Sequence, residues 1–131
     1  MKTLIVEDDP ISSLLLHKIM IQFGTADTAE NGKRAFELFD SAWQNHAPYD
    51  LICLDIMLPD IDGQEILKRL RKRESQRGID GLDGAKIVMI TALGDKTSIF
   101  EAFRSQCEGY IIKPIRKDKV VGQLQALGLL S

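Results

Sequence analysis

The run Asp50-Leu51-Ile52-Cys53-Leu54-Asp55-Ile56-Met57-Leu58-Pro59-Asp60-Ile61-Asp62-Gly63 constrains the chain most. An apolar stretch from Leu51 to Leu54 ends on one carboxylate, Asp55, and a turn-rich segment with Pro59 and Gly63 follows. A short apolar run bounded by turn residues reads as a strand buried on both faces. Such strands belong to parallel sheets covered by helices, where ligands bind at the carboxyl edge of the strands. Asp55 falls at that edge. On its own it is as readily a turn-starter or a helix cap. What else falls at strand ends decides between these readings.

The flanking segments alternate in type. Thr3 to Val6 is a β-favouring run ended by Glu7-Asp8-Asp9-Pro10, and Pro10 suits the first turn of a helix. Ile11, Leu14, Leu15 and Ile19 then recur at helical spacing, with Gly24 as a stop. Thr25 to Ala29 is a weak second strand. Asn31-Gly32 opens a second helix with Ala35, Phe36, Phe39, Ala42 and Trp43 on one face. Gly63 to Arg73 predicts a third helix, with Ile66, Leu67 and Leu70 inward and Lys68, Arg69, Arg71, Lys72 and Arg73 outward. Glu74 to Ala85, holding Gly78, Gly81 and Gly84, reads as a loop. Lys86 to Thr91 is a fourth strand, Asp95 to Gln106 a fourth helix and Tyr110 to Ile112 a fifth strand. Val120, Val121, Leu124 and Leu127 mark a last helix.

Strands alternating with helices imply an α/β fold with right-handed crossovers. The expected architecture is a flavodoxin-like (βα)5 three-layer sandwich, its five parallel strands in the order 2-1-3-4-5. The length of 131 residues suits a single domain spanning 1–131. In that order the Glu7-Asp8 pair and Asp55 meet where the strand order reverses.

Composition narrows the classes of partner. Hydrophobic residues are 44% and charged residues 27%, and the net charge of -2 provides no basic field for nucleic acid. The basic run on the third helix reads as a solvated face, without interleaved aromatics. No signal peptide and no membrane-length apolar run is visible, so a cytoplasmic protein with no membrane partner is expected. Cys53 and Cys107 lie in apolar contexts without metal-ligand spacing and read as reduced core thiols. His17 and His46 fall at no strand end and read as solvated helix positions.

Three carboxylates (Glu7, Asp8, Asp55), the Thr91 hydroxyl and the Lys113 ammonium converge at the strand ends. Adjacent strands lie ~4.8 Å apart, so Lys113 can lean over the short Thr91 toward Asp55. Two like charges at ~4 Å repel by roughly 4 kcal/mol at an effective dielectric of 20. Such a cluster calls for a cation, and hard oxygen ligands suit Mg²⁺. Metal ligands, a carboxylate nucleophile, a hydroxyl and an ammonium together suit phosphoryl transfer to Asp55. Each residue has a plain role when taken singly: a cap for Glu7 or Asp8, a strand end for Thr91, a surface lysine for Lys113.

The chain resembles the response-regulator receiver domains of two-component signalling over essentially its whole length. The matching pieces are Ile5-Val6-Glu7-Asp8-Asp9-Pro10, Leu54-Asp55-Ile56-Met57-Leu58-Pro59 with Asp62-Gly63, Ile90-Thr91-Ala92-Leu93-Gly94-Asp95, and Gly109-Tyr110-Ile111-Ile112-Lys113-Pro114. The resemblance implies that Asp55 is the phosphoacceptor. It implies that Asp8 binds Mg²⁺ directly, Glu7 mainly through water, and the Met57 backbone carbonyl as a further ligand. Thr91 and Lys113 would contact the phosphoryl oxygens, Tyr110 would change rotamer with Thr91, and the Lys113-Pro114 bond would be cis. A sensor histidine kinase or a histidine phosphotransfer protein would be the donor. The output would be a changed surface on the fourth helix, fifth strand and fifth helix, read by a downstream protein.

The expected function is therefore a switch rather than an enzyme, with slow autodephosphorylation. One alternative is a phosphorylation-independent binding module on the same fold, which loss of Glu7, Asp55 or Lys113 would have favoured. Another is a flavodoxin-like cofactor carrier, but acids rather than a Gly-rich loop follow the first strand. A third is the receiver piece of a larger regulator with a DNA-binding or enzymatic output domain.

Overall fold

Strand and helix alternate along the chain as β1 (Lys2–Val6), α1 (Pro10–Met20), β2 (Thr25–Ala29), α2 (Gly32–Gln44), β3 (Leu51–Asp55), α3 (Gly63–Gln76), β4 (Lys86–Thr91), α4 (Lys96–Arg104), β5 (Gly109–Ile112) and α5 (Lys117–Ala126). The computed structural model describes residues 1–80, 83–92 and 96–130 of the chain. Gly81 and the expected helix start at Asp95 lie outside them, as do Leu93 and Gly94. The strands form one parallel sheet in the order β2-β1-β3-β4-β5. This is the expected flavodoxin-like arrangement, with the order reversing between β1 and β3. Every residue of β3 is buried.

Alternation along the strands splits the core into two layers. Leu4, Val6, Ile52, Leu54, Ile87 and Met89 face α2, α3 and α4, against Phe39, Ile66, Leu67, Leu70 and Ala102. Ile5, Leu51, Cys53, Val88, Ile90 and Ile111 face α1 and α5, against Leu16, Ile19, Met20, Val120 and Leu124. Both cysteines are free and buried. Among the described residues no helix is long and apolar enough to cross a membrane.

Several sequence expectations shift. The apolar stripe of α1 is only in part its inner face: Ile19 is buried, together with Ser12, Leu16 and Met20, while Ile11 and Leu14 are 71% and 55% exposed. This helix is apolar nearly all round, so periodicity alone selects no face. Trp43 sits at the surface with the Arg77 guanidinium over its ring at 5.2 Å. Of the apolar residues on α4, Phe100 and Phe103 are exposed and Ala102 is buried. His46 lies beyond α2 with a φ of 57°, rather than on a helix.

The largest correction concerns α3. It runs on to Gln76, so Glu74 is helical rather than in a loop. Arg71 points inward and is buried, unlike the exposed Lys68, Arg69 and Lys72. It donates to Glu74 Oε1 at 2.6 Å, to both Glu108 oxygens at 2.6 and 2.8 Å, and to the Ala85 and Gln106 carbonyls. Glu74 and Glu108 in turn accept from the Ala85 and Ile87 amides. A buried guanidinium needs this many acceptors, and α3 must reach Glu74 to supply one.

Candidate functional site

The carboxyl ends of β1, β3, β4 and β5 converge on one cleft of about 160 Å³, lined by Asp8, Asp55, Ile56, Met57, Thr91, Ala92 and Lys113. The register explains the convergence, since Val6 pairs with Leu54, Asp55 with Ile90 and Thr91 with Ile112. Each chemical group thus follows a strand that ends at the same level.

Asp55 is buried, yet both of its oxygens are held. Oδ1 accepts from the Met57 amide at 2.9 Å and Oδ2 from the Lys113 ammonium at 3.0 Å. Gly63 permits this tight exit from β3. Its amide donates to the Ile56 carbonyl at 2.8 Å, and a Cβ there would lie 2.2 Å from the Asp55 carbonyl oxygen. Glu7 is buried immediately after β1, its amide donating to the Ala29 carbonyl. Asp8 is exposed, and Asp9 caps α1 by accepting from the Ile11 and Ser12 amides and the Ser12 hydroxyl. That hydroxyl leads the causes that hold the Asp9 carboxyl below the ordinary carboxylate range.

One ammonium serves two buried acids. Lys113 Nζ lies 2.6 Å from Glu7 Oε1, but the approach is outside hydrogen-bond alignment, and both Glu7 oxygens lack a hydrogen-bond donor. Burial first, then the neighbouring Asp55 carboxylate, push the Glu7 carboxyl up to about 8, against the pull of Lys113. Burial acts to lower the Lys113 ammonium, but Glu7 and Asp55 outweigh it and its pKa is raised. The lysine stays charged and aligned on Asp55, and Glu7 bears the cost of its burial.

Glu7, Asp8 and Asp55 each offer an oxygen within 4.8 Å of the others. Buried carboxylate oxygens without donors, beside an exposed third acid, fit a hard divalent cation that keeps part of its water. Met57 stands at the rim, 77% exposed. Thr91 is buried, and its hydroxyl donates to the Ala92 carbonyl at 3.3 Å. Tyr110 pairs with Met89 in the β4–β5 register, so it shares a sheet face with Thr91. Its ring meets Phe103 edge-on, with centroids 6.3 Å apart. The Lys113-Pro114 bond is cis.

Asp60 is a residue the sequence reading passes over. It sits in the loop after Asp55, yet it accepts from the Gly32 and Lys33 amides at the start of α2. Its partners lie 28 and 27 residues away, so no local pattern announces them.

A family model described as response regulator receiver domain matches residues 3–125. The chain is 29% identical to the chemotaxis protein CheY of Bacillus subtilis over 122 residues, covering 92% of this chain and 91% of that protein. It is 35% identical to the transcriptional regulatory protein SrrA of Staphylococcus aureus over 95% of this chain, but spans only 46% of SrrA. It likewise spans about half of several other curated regulators that it matches. Among solved structures, a two-component response regulator from Clostridium difficile superposes with a TM-score of 0.79 at 27% identity, covering 97% of this chain and 94% of that one.

Proposed function

Since this chain belongs to the response regulator receiver domain family, a family of signalling switches, we propose that Asp55 accepts a phosphoryl group from a phosphohistidine. The donor is a sensor histidine kinase or a histidine phosphotransfer protein, and the reaction depends on Mg²⁺. The observation that carries this reading is the pairing of Asp55 with Lys113 inside the acidic cluster.

Asp55 attacks phosphorus with a carboxylate oxygen. A P–O bond forms, the P–N bond to the donor imidazole breaks, and the imidazole leaves with the bonding pair. A bound Mg²⁺, held by Asp8, Asp55, the Met57 carbonyl and, through water, Glu7, would neutralise charge on the carboxylate and the phosphoryl oxygens. Lys113 is already on Asp55 Oδ2 and exchanges that bond for a phosphoryl oxygen as charge develops there. The Thr91 hydroxyl leaves the Ala92 carbonyl to donate to another phosphoryl oxygen. Its inward turn frees room on the sheet face it shares with Tyr110, whose ring follows. The exposed Phe100 and Phe103 of α4, with β5 and α5, form the surface a partner then reads. Hydrolysis of the acyl phosphate at Asp55 resets the switch slowly.

The switch works in the cytoplasm. Its output passes to a separate protein or, in the setting of a longer regulator, to an attached DNA-binding or enzymatic domain. Incubation with acetyl phosphate and Mg²⁺, followed by borohydride trapping and mass spectrometry, should place one label, on Asp55. Equal labelling of Asp55→Asn would overturn the assignment.

A further inference from the structure

The loop from residue 56 to 62 adjoins one group assigned to the site, the Asp55 carboxylate at the end of β3, and carries another, the Met57 backbone. Its ends are fixed from within, by the Met57 amide on Asp55 Oδ1 at 2.9 Å and the Gly63 amide on the Ile56 carbonyl at 2.8 Å. Its middle is fixed by a different element. Asp60 Oδ1 accepts from the Gly32 amide at 2.9 Å and the Ile61 amide at 2.9 Å, and Oδ2 accepts from the Lys33 amide at 3.1 Å.

Gly32 and Lys33 open α2, where amides have no intrahelical partner and the helix end favours an anion. That helix already has a cap from its own segment, the Asn31 side chain accepting from the Arg34 amide at 2.8 Å. Asp60 is thus a second cap, supplied by the loop. The apolar side of the loop is seated on the same turn: a Cβ on Gly32 would lie 3.3 Å from Ile61 Cδ1. Ile61 is partly buried against the core.

We infer that Asp60 is a positioning residue of the site: by capping α2 it holds the loop so that the Asp55 carboxylate and the Met57 backbone are ready for a divalent cation. This rests on the reading that the acidic cluster binds Mg²⁺. Asp60 lies outside the cleft lining and acts through the loop alone. Ordering the loop before the ligand arrives removes that entropy from the cost of binding.

Two caps on one helix provide the control. Asp60→Ala cuts the tie between loop and helix, whereas Asn31→Ala weakens the start of α2 and leaves the tie in place. Mg²⁺ alone is titrated calorimetrically into the full chain of each variant, with amide hydrogen exchange and thermal melting alongside. Asp60→Ala should weaken Mg²⁺ about tenfold, the low end of what losing an outer-shell partner costs. Exchange at Met57 should speed up. Asn31→Ala should bind Mg²⁺ as the parent does while melting lower. Asp60→Asn, which keeps one acceptor oxygen, should fall between the parent and Asp60→Ala, and it serves if the alanine variant does not fold. Unchanged affinity in both Asp60 variants, or an equal loss in Asn31→Ala, would overturn the inference. A parent that gives no Mg²⁺ isotherm would instead overturn the metal-site reading, and the role of Asp60 with it.

Discussion

Replacing Glu7 by Gln preserves the size of the side chain and removes its ionisation. In the folded protein burial, then the neighbouring Asp55, raise this carboxyl from 4.5 to about 8. In the unfolded chain it titrates near 4.5. A group whose folded pKa is raised contributes stability that is full below the unfolded pKa and lost as pH rises through the folded pKa. At pH 7 the unfolded chain ionises Glu7 while the fold still holds it protonated. At 1.36 kcal/mol per unit, stability lost by pH 7 is about 3 kcal/mol, and by pH 8 about 4 kcal/mol. Gln carries no such penalty. In EDTA the stability difference should therefore move in favour of Glu7→Gln as pH rises from 5 to 8. At pH 7 the gain is on the order of 10 °C in melting temperature for a domain of this size.

Mg²⁺ should narrow the gap. It binds the folded form, and at 100 times its dissociation constant it stabilises by about 2.7 kcal/mol. The parent should take up that stabilisation and the Gln variant less of it, because one acidic neighbour of the ion has gone. Thermal melts at pH 5, 7 and 8, each with EDTA or Mg²⁺, test both halves. A difference between the two proteins that does not change with pH, or a parent that melts higher than the variant at pH 8 in EDTA, would refute the electrostatic account of the cluster.

Arg71→Met should cost about 3–5 kcal/mol in urea denaturation, because it strands the Glu74 and Glu108 carboxylates in the interior; a loss below about 1 kcal/mol would show that the network is not holding α3 to β4 and β5. Lys113→Ala should leave Mg²⁺ binding unweakened in a calorimetric titration, since the ammonium repels the cation, while the response of the α4–β5–α5 surface to phosphorylation is lost. A large fall in Mg²⁺ affinity would contradict that division of labour. Cys53 and Cys107 are buried with thiols pushed up to about 12 and about 11, so neither should react with a thiol reagent at pH 8 until the protein unfolds; fast labelling of the native protein would place one of them nearer the surface.

The placement of Glu7, Asp8, Asp55, Thr91 and Lys113 was legible because each follows an apolar run short enough to be a buried strand. Parallel strands that return through helices must end on one edge. Asp9 as the cap of α1 was legible too, from its place before Pro10. The hydrogen bonds at the site were not. That the Thr91 hydroxyl turns to the Ala92 carbonyl, or that Asp60 reaches α2, depends on rotamers and on contacts made only after the sheet has formed. The inner faces of α1 and α4 are hidden in the sequence for a related reason. Periodicity reports which residues are apolar, and on both helices apolar side chains also stand at the surface, Ile11 and Leu14 on one and Phe100 and Phe103 on the other.

Arg71 is a different case, because its signal is present in the sequence. Leu67, Leu70, Arg71 and Glu74 fall at i, i+3, i+4 and i+7, the spacing of a single inward stripe. Ile66, Leu67 and Leu70 set that stripe toward the sheet, and the same 3.6-residue period carries Arg71 and Glu74 inward after them. Ending the helix at Arg73 removed the one local partner that makes the position tolerable. An arginine and a glutamate three apart on an apolar stripe compensate each other: the pair is worth little on a wet surface, but in the interior neither charge is tolerable without the other. Glu108, just before β5, completes the set from the far side of the sheet edge. Opposite charges that fall in register with a buried stripe therefore argue for a longer helix, not for a loop, and the distant third charge is the part that only the folded sheet could supply.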